Sequence, residues 1–317
     1  MKKQDFFEQY RINETKLQEM ELDWNELLEI IGDFEKKRDH LNIDANYLAD
    51  RLRSFDRIHT VKSRIKDPGH LIEKIIRIKR KNPDLSINRN SYSGIINDLA
   101  GVRALHLFKE DWVDIHQYIV KNWELKKTPV ANVSVDDSKK LLEKYKENGC
   151  EIKDHPYGYR SVHYVILFER SKTEKIPIEI QVRTILEEAW SEIDHLVRYP
   201  YSNGNRVYSP YLNILNRLIA QADEVSSFIH LLKINDNQQK IKSKEMKQLN
   251  KKLLADIHEQ LNESIIEKNQ KKTLKDQLKN LEEQISRAVS SQEGIHTDNA
   301  YSMYAPRLSK SIDSDVR

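Results

Sequence analysis

Cysteine, glycine and long apolar runs are scarce in this chain of 317 residues. Its single cysteine, Cys150, excludes an internal disulfide framework and a cysteine-based zinc site. Glycine occurs 8 times, whereas average usage gives about 22 in a chain of this length, so a turn-rich all-β fold is not expected. No apolar run approaches the roughly 18 residues of a membrane span, and the first residues contain no apolar signal-peptide core. We therefore expect a soluble, helix-rich, cytoplasmic protein with no membrane partner.

Charged residues make up 32% of the chain and nearly cancel, with a net charge of +3, but they are unevenly distributed. Residues 1–50 carry 7 basic and 13 acidic side chains, whereas residues 51–81 carry 11 basic and 3 acidic ones. The second block therefore has a net charge of +8, which predicts a place where an anion binds. A solvated helix face is the alternative interpretation of the same block.

The hydrophobic pattern is helical at the start of the chain and mixed in its centre. Apolar residues recur at helical spacing over residues 17–34, 47–55 and 70–79, and Asp67-Pro68-Gly69 marks the start of the third helix. The centre adds predicted strands at residues 102–108, 123–126, 161–168 and 176–182 and predicted helices at 112–120 and 184–198. This combination predicts an α+β fold, with a mixed β-sheet flanked by helices.

These patterns divide the chain into four parts. A helical cap covers residues 1–55, the mixed core covers 56–200, a helical C-terminal extension covers 201–289, and a polar tail covers 290–317. Apolar residues of the extension recur at the three-to-four spacing of helical hairpins and coiled coils, so oligomerisation through these helices is an expectation. The tail has few core-forming residues and is a candidate regulatory segment.

Polar residues with little use in packing cluster in three stretches of the core. They are Arg64-Ile-Lys66 with Lys74, Asn97 to Arg103, and Tyr157 to His163 followed by Ile178 to Thr184. In the last strand the polar Glu179, Gln181 and Arg183 alternate with apolar residues, so one face of the strand presents a carboxylate, an amide and a guanidinium together.

This inventory suits the transfer of a phosphoryl group. Lysine and arginine neutralise a polyphosphate, and the carboxylates of Asp98 and Glu179 offer oxygen ligands to Mg²⁺. A Walker-type glycine-rich loop is absent from the sequence, so we do not expect a P-loop enzyme. Tyr157 and Tyr159, on either side of Gly158, offer aromatic rings on which a base can stack.

The same stretches resemble the synthetase domain of the RelA/SpoT family, whose members move pyrophosphate from ATP to a nucleotide 3′-hydroxyl. The resemblance covers Val61 to Tyr199 and extends more weakly through Ala220 to Val225. It depends on three motifs in order, which are Gly158-Tyr-Arg-Ser-Val-His163, Glu179-Ile-Gln-Val-Arg-Thr184 and Trp190-Ser-Glu-Ile-Asp-His195. It implies a nucleotidyltransferase-like core acting as a pyrophosphokinase.

The resemblance implies which residues would hold the ATP donor. Arg64 would lie against the adenine, Lys66 and Lys74 would bind phosphates, Arg103 would sit near the phosphates, and His163 would contact the donor phosphates. The competing interpretation makes the three residues at 64, 66 and 74 solvated charges and His163 a hydrogen-bonded core histidine.

The resemblance also implies the catalytic and acceptor residues. Asp98 and Glu179 would be the catalytic residues and the candidate metal ligands, with Asp98 ligating Mg²⁺ and Glu179 either ligating the metal or activating the attacking hydroxyl. Tyr159 would stack on the acceptor base, while Gln181 and Arg183 would support the site. Purely structural roles for these residues are the alternative, and Trp190 and His195 are interpreted as structural.

The loop before Tyr159 departs from the pattern of the nucleotide-making members. Those members usually have a lysine and an asparagine where this chain has His155 and Tyr157. Since a histidine is mostly neutral at pH 7, the loop loses a fixed positive charge toward GDP or GTP phosphates. A tRNA 3′ end, the acceptor of the toxic small alarmone synthetases, is therefore an alternative to GDP or GTP. A catalytically silent nucleic-acid-binding module using the basic block 51–81 is the rival from another class.

The C-terminal tail contains a further resemblance. Tyr301-Ser-Met-Tyr304 resembles the Tyr-x-x-Tyr of the fused toxin–antitoxin relatives called CapRel, in which a C-terminal segment covers the ATP site. It implies autoinhibition released by a protein trigger or antitoxin, and a role in antiviral defence. Tyr208-Ser-Pro-Tyr211 has the same spacing, so a pair of this kind can occur by chance. A disordered tail is therefore the alternative interpretation.

Overall fold

A computed structural model of the chain describes residues 3–10, 13–171, 174–198, 208–263, 272–281 and 283–284. By its contacts the chain divides into two units, residues 1–230 and 231–317. The predicted tail at 290–317, with Tyr301 and Tyr304, lies outside the described residues.

The N-terminal cap is helical, but its helices differ from those predicted. The helices of the cap and of the basic block are α1 (Lys3–Tyr10), α2 (Glu14–Glu19), α3 (Trp24–Arg53) and α4 (Pro68–Lys81). The helix predicted over 17–34 is wrong, because the chain breaks at Glu21, whose φ is +52°. Asp23 then caps α3 by accepting from the Asn25 amide. Most residues of the two predicted helices, 17–34 and 47–55, therefore lie in one continuous helix, α3.

A mixed sheet of six strands forms the centre and confirms the predicted α+β class. The strands are β1 (Thr60–Ile65), β2 (Ala100–His106), β3 (Val130–Val133), β4 (Glu151–Asp154), β5 (Ser161–Ser171) and β6 (Glu174–Thr184). Their order in the sheet is β1-β2-β6-β5-β3-β4. The pairs β2–β6 and β3–β4 are parallel, and the other neighbours are antiparallel.

The remaining described elements surround or follow the sheet. They are α5 (Tyr92–Ile95), α6 (Trp112–Asn122), α7 (Lys139–Glu147), α8 (Ile185–Arg198) and α9 (Tyr208–Glu263). Within the described residues, no helix is both long and apolar enough to cross a membrane.

Three of the four predicted strands are confirmed as β2, β5 and β6. The strand predicted at 123–126 is wrong, since this segment contributes only one isolated bridge between Leu125 and Ile166. The structure also contains three strands that were not predicted, β1, β3 and β4. The strands β3 and β4 are short, and β1 carries charged residues at alternate positions. Lys62 and Arg64 of the basic block therefore lie on an edge strand and not on a helix.

The sheet separates an apolar core from a polar face. Val102, Ile178, Ile180 and Tyr164 are buried in the core, which includes α3, α4 and α6. On α4, Asp67 caps the first turn by accepting from the Gly69 and His70 amides, which confirms the predicted helix start. Because side chains alternate along a strand, the polar partners of the core residues point to the opposite face.

Candidate active site

Strand pairing places the predicted polar residues side by side. In the ladder between β2 and β6, Gly101 is opposite Glu179 and Arg103 is opposite Gln181. In the ladder between β5 and β6, His163 is opposite Gln181. Residues directly opposite each other share a face of the sheet. The structure therefore brings residues from three separate stretches of sequence onto one surface.

His163 links Glu179 to Tyr159. Its Nδ1 atom lies 3.3 Å from Glu179 Oε1, and its Nε2 atom lies 2.9 Å from the Tyr159 hydroxyl. Burial lowers the pKa of His163, but the contacts with Tyr159 and Glu179 outweigh it and raise the pKa to about 9. At neutral pH this side chain is therefore an imidazolium that bridges a carboxylate and a phenol.

Glu179 is ionised although it is largely buried. Burial raises the pKa of its carboxyl, while the hydrogen bond and charge of His163, with a contribution from Gln181, lower it to about 2. Gln181 Nε2 donates to Glu179 Oε2 at 2.8 Å. A carboxylate with this environment can ligate a cation or accept a proton from a neighbouring hydroxyl.

Asp98 joins two lysines at the start of β2. Lys66 Nζ lies 2.7 Å and Lys74 Nζ lies 3.4 Å from Asp98 Oδ2. Burial raises the pKa of Asp98, but the two ammonium groups hold it below its usual value. The charge of Glu179 acts in the opposite direction on this pKa. Asp98 Oδ1 is buried and has no hydrogen-bond partner.

Gln181 and Arg183 extend the polar row of β6. Arg183 NH2 donates to Gln181 Oε1 at 3.0 Å, and Arg183 NH1 donates to Ser191 Oγ of α8 at 2.8 Å. Arg183 Nε also lies 2.8 Å from Glu188 Oε2. Arg183 is only 2% exposed, and these contacts connect the polar row of β6 to α8.

Arg103 and Arg64 lie at a cleft beside this row. Arg103 NH1 lies 2.7 Å from Glu188 Oε1 and also contacts Glu192 of α8. Lys62, Arg64, Arg103, Glu192 and His195 line the cleft. Our sequence reasoning missed Lys62, Glu188 and Glu192. The four-residue spacing of the two glutamates on a predicted helix was the available signal, because such residues share a helix face.

The loop before β5 carries the predicted acceptor residues. The Arg183 guanidinium carbon lies 5.3 Å from the centre of the Tyr159 ring, and the His155 ring centre lies 5.3 Å from it as well. Tyr157 is half exposed, and Arg198 lies over its ring at 3.9 Å. Burial lowers the pKa of His155, so its imidazole is neutral at pH 7, as the sequence suggested.

The candidate metal ligands Asp98 and Glu179 do not belong to a larger ligand cluster. Among the described residues there is no group of three or more histidine, cysteine, aspartate or glutamate side chains that could hold a metal ion. A cation at these two carboxylates would therefore need further ligands of another kind, such as backbone carbonyls, water or phosphate oxygens.

Known proteins are similar in sequence to the part of the chain that contains these residues. A sequence profile described as a region found in RelA / SpoT proteins matches residues 63–204. The GTP pyrophosphokinase YwaC of Bacillus subtilis (strain 168) is 26% identical over 149 residues, which cover 46% of this chain and 60% of the relative. The GTP pyrophosphokinase YjbM of the same organism is 26% identical over 151 residues, which cover 47% and 59%. The chain thus spans less than two thirds of the length of these relatives.

Two solved structures also resemble the chain. The small alarmone synthetase 1 from Bacillus subtilis has a TM-score of 0.45 and 22% identity, covering 62% of this chain and 95% of that chain. A GTP pyrophosphokinase family protein from Streptococcus pneumoniae has a TM-score of 0.42 and 20% identity, covering 68% and 92%.

The profile match contains the polar row and the residues around it. It begins at Ser63 on β1, includes Asp98 and Glu179, and continues beyond Glu192 on α8. Its bounds agree closely with the resemblance that the sequence motifs carry over Val61 to Tyr199. Residues 63–204 of this chain therefore match the region found in RelA / SpoT proteins.

Proposed function

We propose that this chain is a pyrophosphokinase that transfers the β,γ-pyrophosphate of ATP to a ribose 3′-hydroxyl. The observation that carries the proposal is the closeness of two ionised carboxylates, Asp98 and Glu179, to Lys66, Lys74 and His163. A site that only binds phosphate gains nothing from buried carboxylates, which repel the ligand. The names of the two curated relatives, both GTP pyrophosphokinases, support the same reaction.

The residues suit the steps of this transfer. The 3′-oxygen of the acceptor forms a bond to the β-phosphorus of ATP, the bond from that phosphorus to the bridging oxygen of the α-phosphate breaks, and AMP leaves. Glu179 is ionised at neutral pH and would either ligate the metal ion or take the hydroxyl proton. The cations Lys66, Lys74 and the His163 imidazolium stabilise charge on the pyrophosphoryl oxygens.

Mg²⁺ fits the carboxylates of this site. Asp98 Oδ1 is buried without a hydrogen-bond partner, so a cation bound to this oxygen would supply the missing partner. Mg²⁺ is commonly held by one or two carboxylates together with substrate phosphates, which agrees with the absence of a larger ligand cluster among the described residues. Asp98 and Glu179 would hold the ion, which would supply further charge neutralisation at the phosphates.

ATP would enter from the cleft beside β1. Arg64 is exposed on this edge strand and lines the cleft with Lys62, so its guanidinium is available to lie against the adenine. Arg103 is held by Glu188 and Glu192 in the described conformation, and these ion pairs would open or rearrange for it to reach a phosphate.

The acceptor is either a guanine nucleotide or a tRNA 3′ end. The names of the curated relatives favour GDP or GTP and (p)ppGpp synthesis. The neutral His155 favours the tRNA 3′ end, where no 5′-polyphosphate needs a partner, and with it translation inhibition, tRNA modification and antiviral defence. The basic block 51–81 would then contact the tRNA backbone.

One labelling experiment separates these possibilities. The full chain is incubated with γ-³²P-ATP and Mg²⁺ together with GDP, GTP or deacylated tRNA. Label in GDP or GTP alone identifies a nucleotide synthetase, and label in tRNA alone identifies a tRNA-modifying enzyme. No transfer, combined with RNA binding that weakens steeply with salt, would favour the silent nucleic-acid-binding module instead.

A further inference from the structure

The first half of α9 is joined to the core by polar contacts. Its residues Leu212, Asn216, Asp223 and Ser227 are buried. The Leu212 carbonyl accepts from Trp190 Nε1 at 3.2 Å, in keeping with a structural role for that tryptophan. Asp223 Oδ2 accepts from the Thr184 hydroxyl at 2.9 Å. This part of α9 is therefore placed on the core with a defined rotation and position.

Asn216 uses this placement to hold the loop that carries Tyr159. Its Nδ2 donates to the Gly158 carbonyl at 2.9 Å, and its Oδ1 accepts from Arg160 NH1 at 2.9 Å. A carbonyl only accepts and a guanidinium only donates, so the two partners dictate the orientation of the amide. An asparagine can make both bonds, whereas an aspartate or an alanine at this position cannot.

The two partners of Asn216 flank Tyr159 in sequence. Arg160 is held a second time, because its Nε donates to Asp137 Oδ1 at 2.7 Å. Gly158 has a φ of +72°, and a Cβ at this residue would lie 2.7 Å from Asn216 Oδ1. Glycine is therefore required both by the left-handed backbone and by the close approach of the asparagine.

We propose that Asn216 is a positioning residue for the acceptor, acting through Gly158 and Arg160 on the orientation of Tyr159. The inference rests on the proposed function, in which Tyr159 contacts the acceptor base. Asn216 lies outside the residues 63–204 that match the family profile. The helical extension would thus contribute to acceptor use from beyond the matched domain.

Steady-state kinetics of the full chain test this role. The assay uses ATP and whichever of GDP, GTP or deacylated tRNA becomes labelled, with Asn216→Ala, Asn216→Asp and the control Asn213→Ala, an exposed residue of the same helix. Loss of both bonds in Asn216→Ala, and of the bond to the Gly158 carbonyl in Asn216→Asp, should raise the KM for the acceptor about tenfold and leave the KM for ATP unchanged. Equal increases in both KM values, or a wild-type acceptor KM, would overturn the proposal.

Hydrogen exchange supplies a readout that does not depend on catalysis. The Gly158 amide donates to the His155 carbonyl at 3.0 Å, so it reports whether the loop is held. Asn216→Ala should accelerate exchange in peptides covering residues 155–160 and leave peptides of β6 protected. Unchanged exchange in the loop would reject the inference whatever the activity. A wild-type chain that transfers nothing to any acceptor would reject the proposed function, and the exchange result would still decide the role of Asn216 in holding the loop.

Discussion

His163 and Glu179 form a charged pair between neighbouring antiparallel strands, with His163 Nδ1 3.3 Å from Glu179 Oε1. Tyr159 and Glu179 together raise the pKa of His163 to about 9, and His163 with Gln181 lowers the pKa of Glu179 to about 2, in each case against the effect of burial. Both groups are therefore charged throughout the neutral range. The pair therefore contributes one positive and one negative charge to this surface.

The pair predicts how folding stability depends on pH. His163 has a higher pKa in the folded chain than the usual value of 6.5, so its contribution is complete below pH 6.5 and is lost as the pH rises through about 9. We expect the free energy of unfolding to fall between pH 7 and 10 in the wild type and to fall less in His163→Gln. Urea denaturation of both proteins at pH 6, 8 and 9.5 measures this difference. Parallel profiles would mean that the ion pair does not contribute.

The two carboxylates predict a loss of both activity and stability when either is neutralised. Glu179→Gln and Asp98→Asn should each reduce pyrophosphate transfer by at least about a hundredfold if these groups act on the reacting atoms or their metal ion. Asp98→Asn leaves Lys66, 7% exposed, without its anionic partner, and Glu179→Gln leaves His163 without its own. Removing one member of a buried pair costs about 3–5 kcal/mol, so both variants should also melt at a lower temperature.

The exposed Glu151 on β4 provides the matched control for both carboxylate variants. Glu151→Gln should keep both the wild-type rate and the wild-type melting temperature. Transfer by Glu179→Gln at a rate close to that of Glu151→Gln would remove Glu179 from the catalytic machinery.

Two substitutions of Tyr159 should distinguish the contribution of its ring to acceptor binding from that of its hydroxyl. Stacking on a base contributes about 1–3 kcal/mol, so Tyr159→Ala should raise the acceptor KM roughly tenfold to hundredfold, whereas Tyr159→Phe keeps the ring and should change it little. The phenylalanine removes the contact that helps to raise the pKa of His163. The alkaline decline of activity should therefore begin at a lower pH in Tyr159→Phe. Equal losses in both variants would point to the hydroxyl instead of the ring.

Removal of the C-terminal tail should change the basal activity if the tail is autoinhibitory. If residues 290–317 cover the ATP site through Tyr301 and Tyr304, truncation at Ser290 or replacement of both tyrosines by alanine should increase transfer and make expression toxic to cells. Each 1.4 kcal/mol of tail docking lowers the open fraction about tenfold. The measurement compares rates of the full and truncated chains at ATP concentrations below the KM, because a tail in the ATP site competes with ATP. Equal rates would identify the tail as a bystander and contradict a fused toxin–antitoxin arrangement.

Local patterns were sufficient for the α+β class and for part of the fold. The alternation of polar and apolar residues in 176–182 predicted β6, and Asp67-Pro68 predicted the start of α4, because pleat and helix capping depend on neighbouring residues alone. The short strands β3 and β4 were missed, since four-residue segments carry little periodic signal. The edge strand β1 was missed because its exposed side carries Lys62 and Arg64, which resemble the charges of the neighbouring basic helix.

The sequence by itself determined the resemblance to the region found in RelA / SpoT proteins, since the motifs at residues 158–163, 179–184 and 190–195 stand in order within the matched residues 63–204. The tertiary structure alone decided the partners of the site residues. Lys66 pairs with Asp98 across 32 positions, and Asn216 reaches Gly158 across 58. Such contacts depend on how helices and strands pack, and no local propensity encodes them. The charge states of His163 and Glu179 likewise arise only when strand pairing brings the two side chains together in a buried setting.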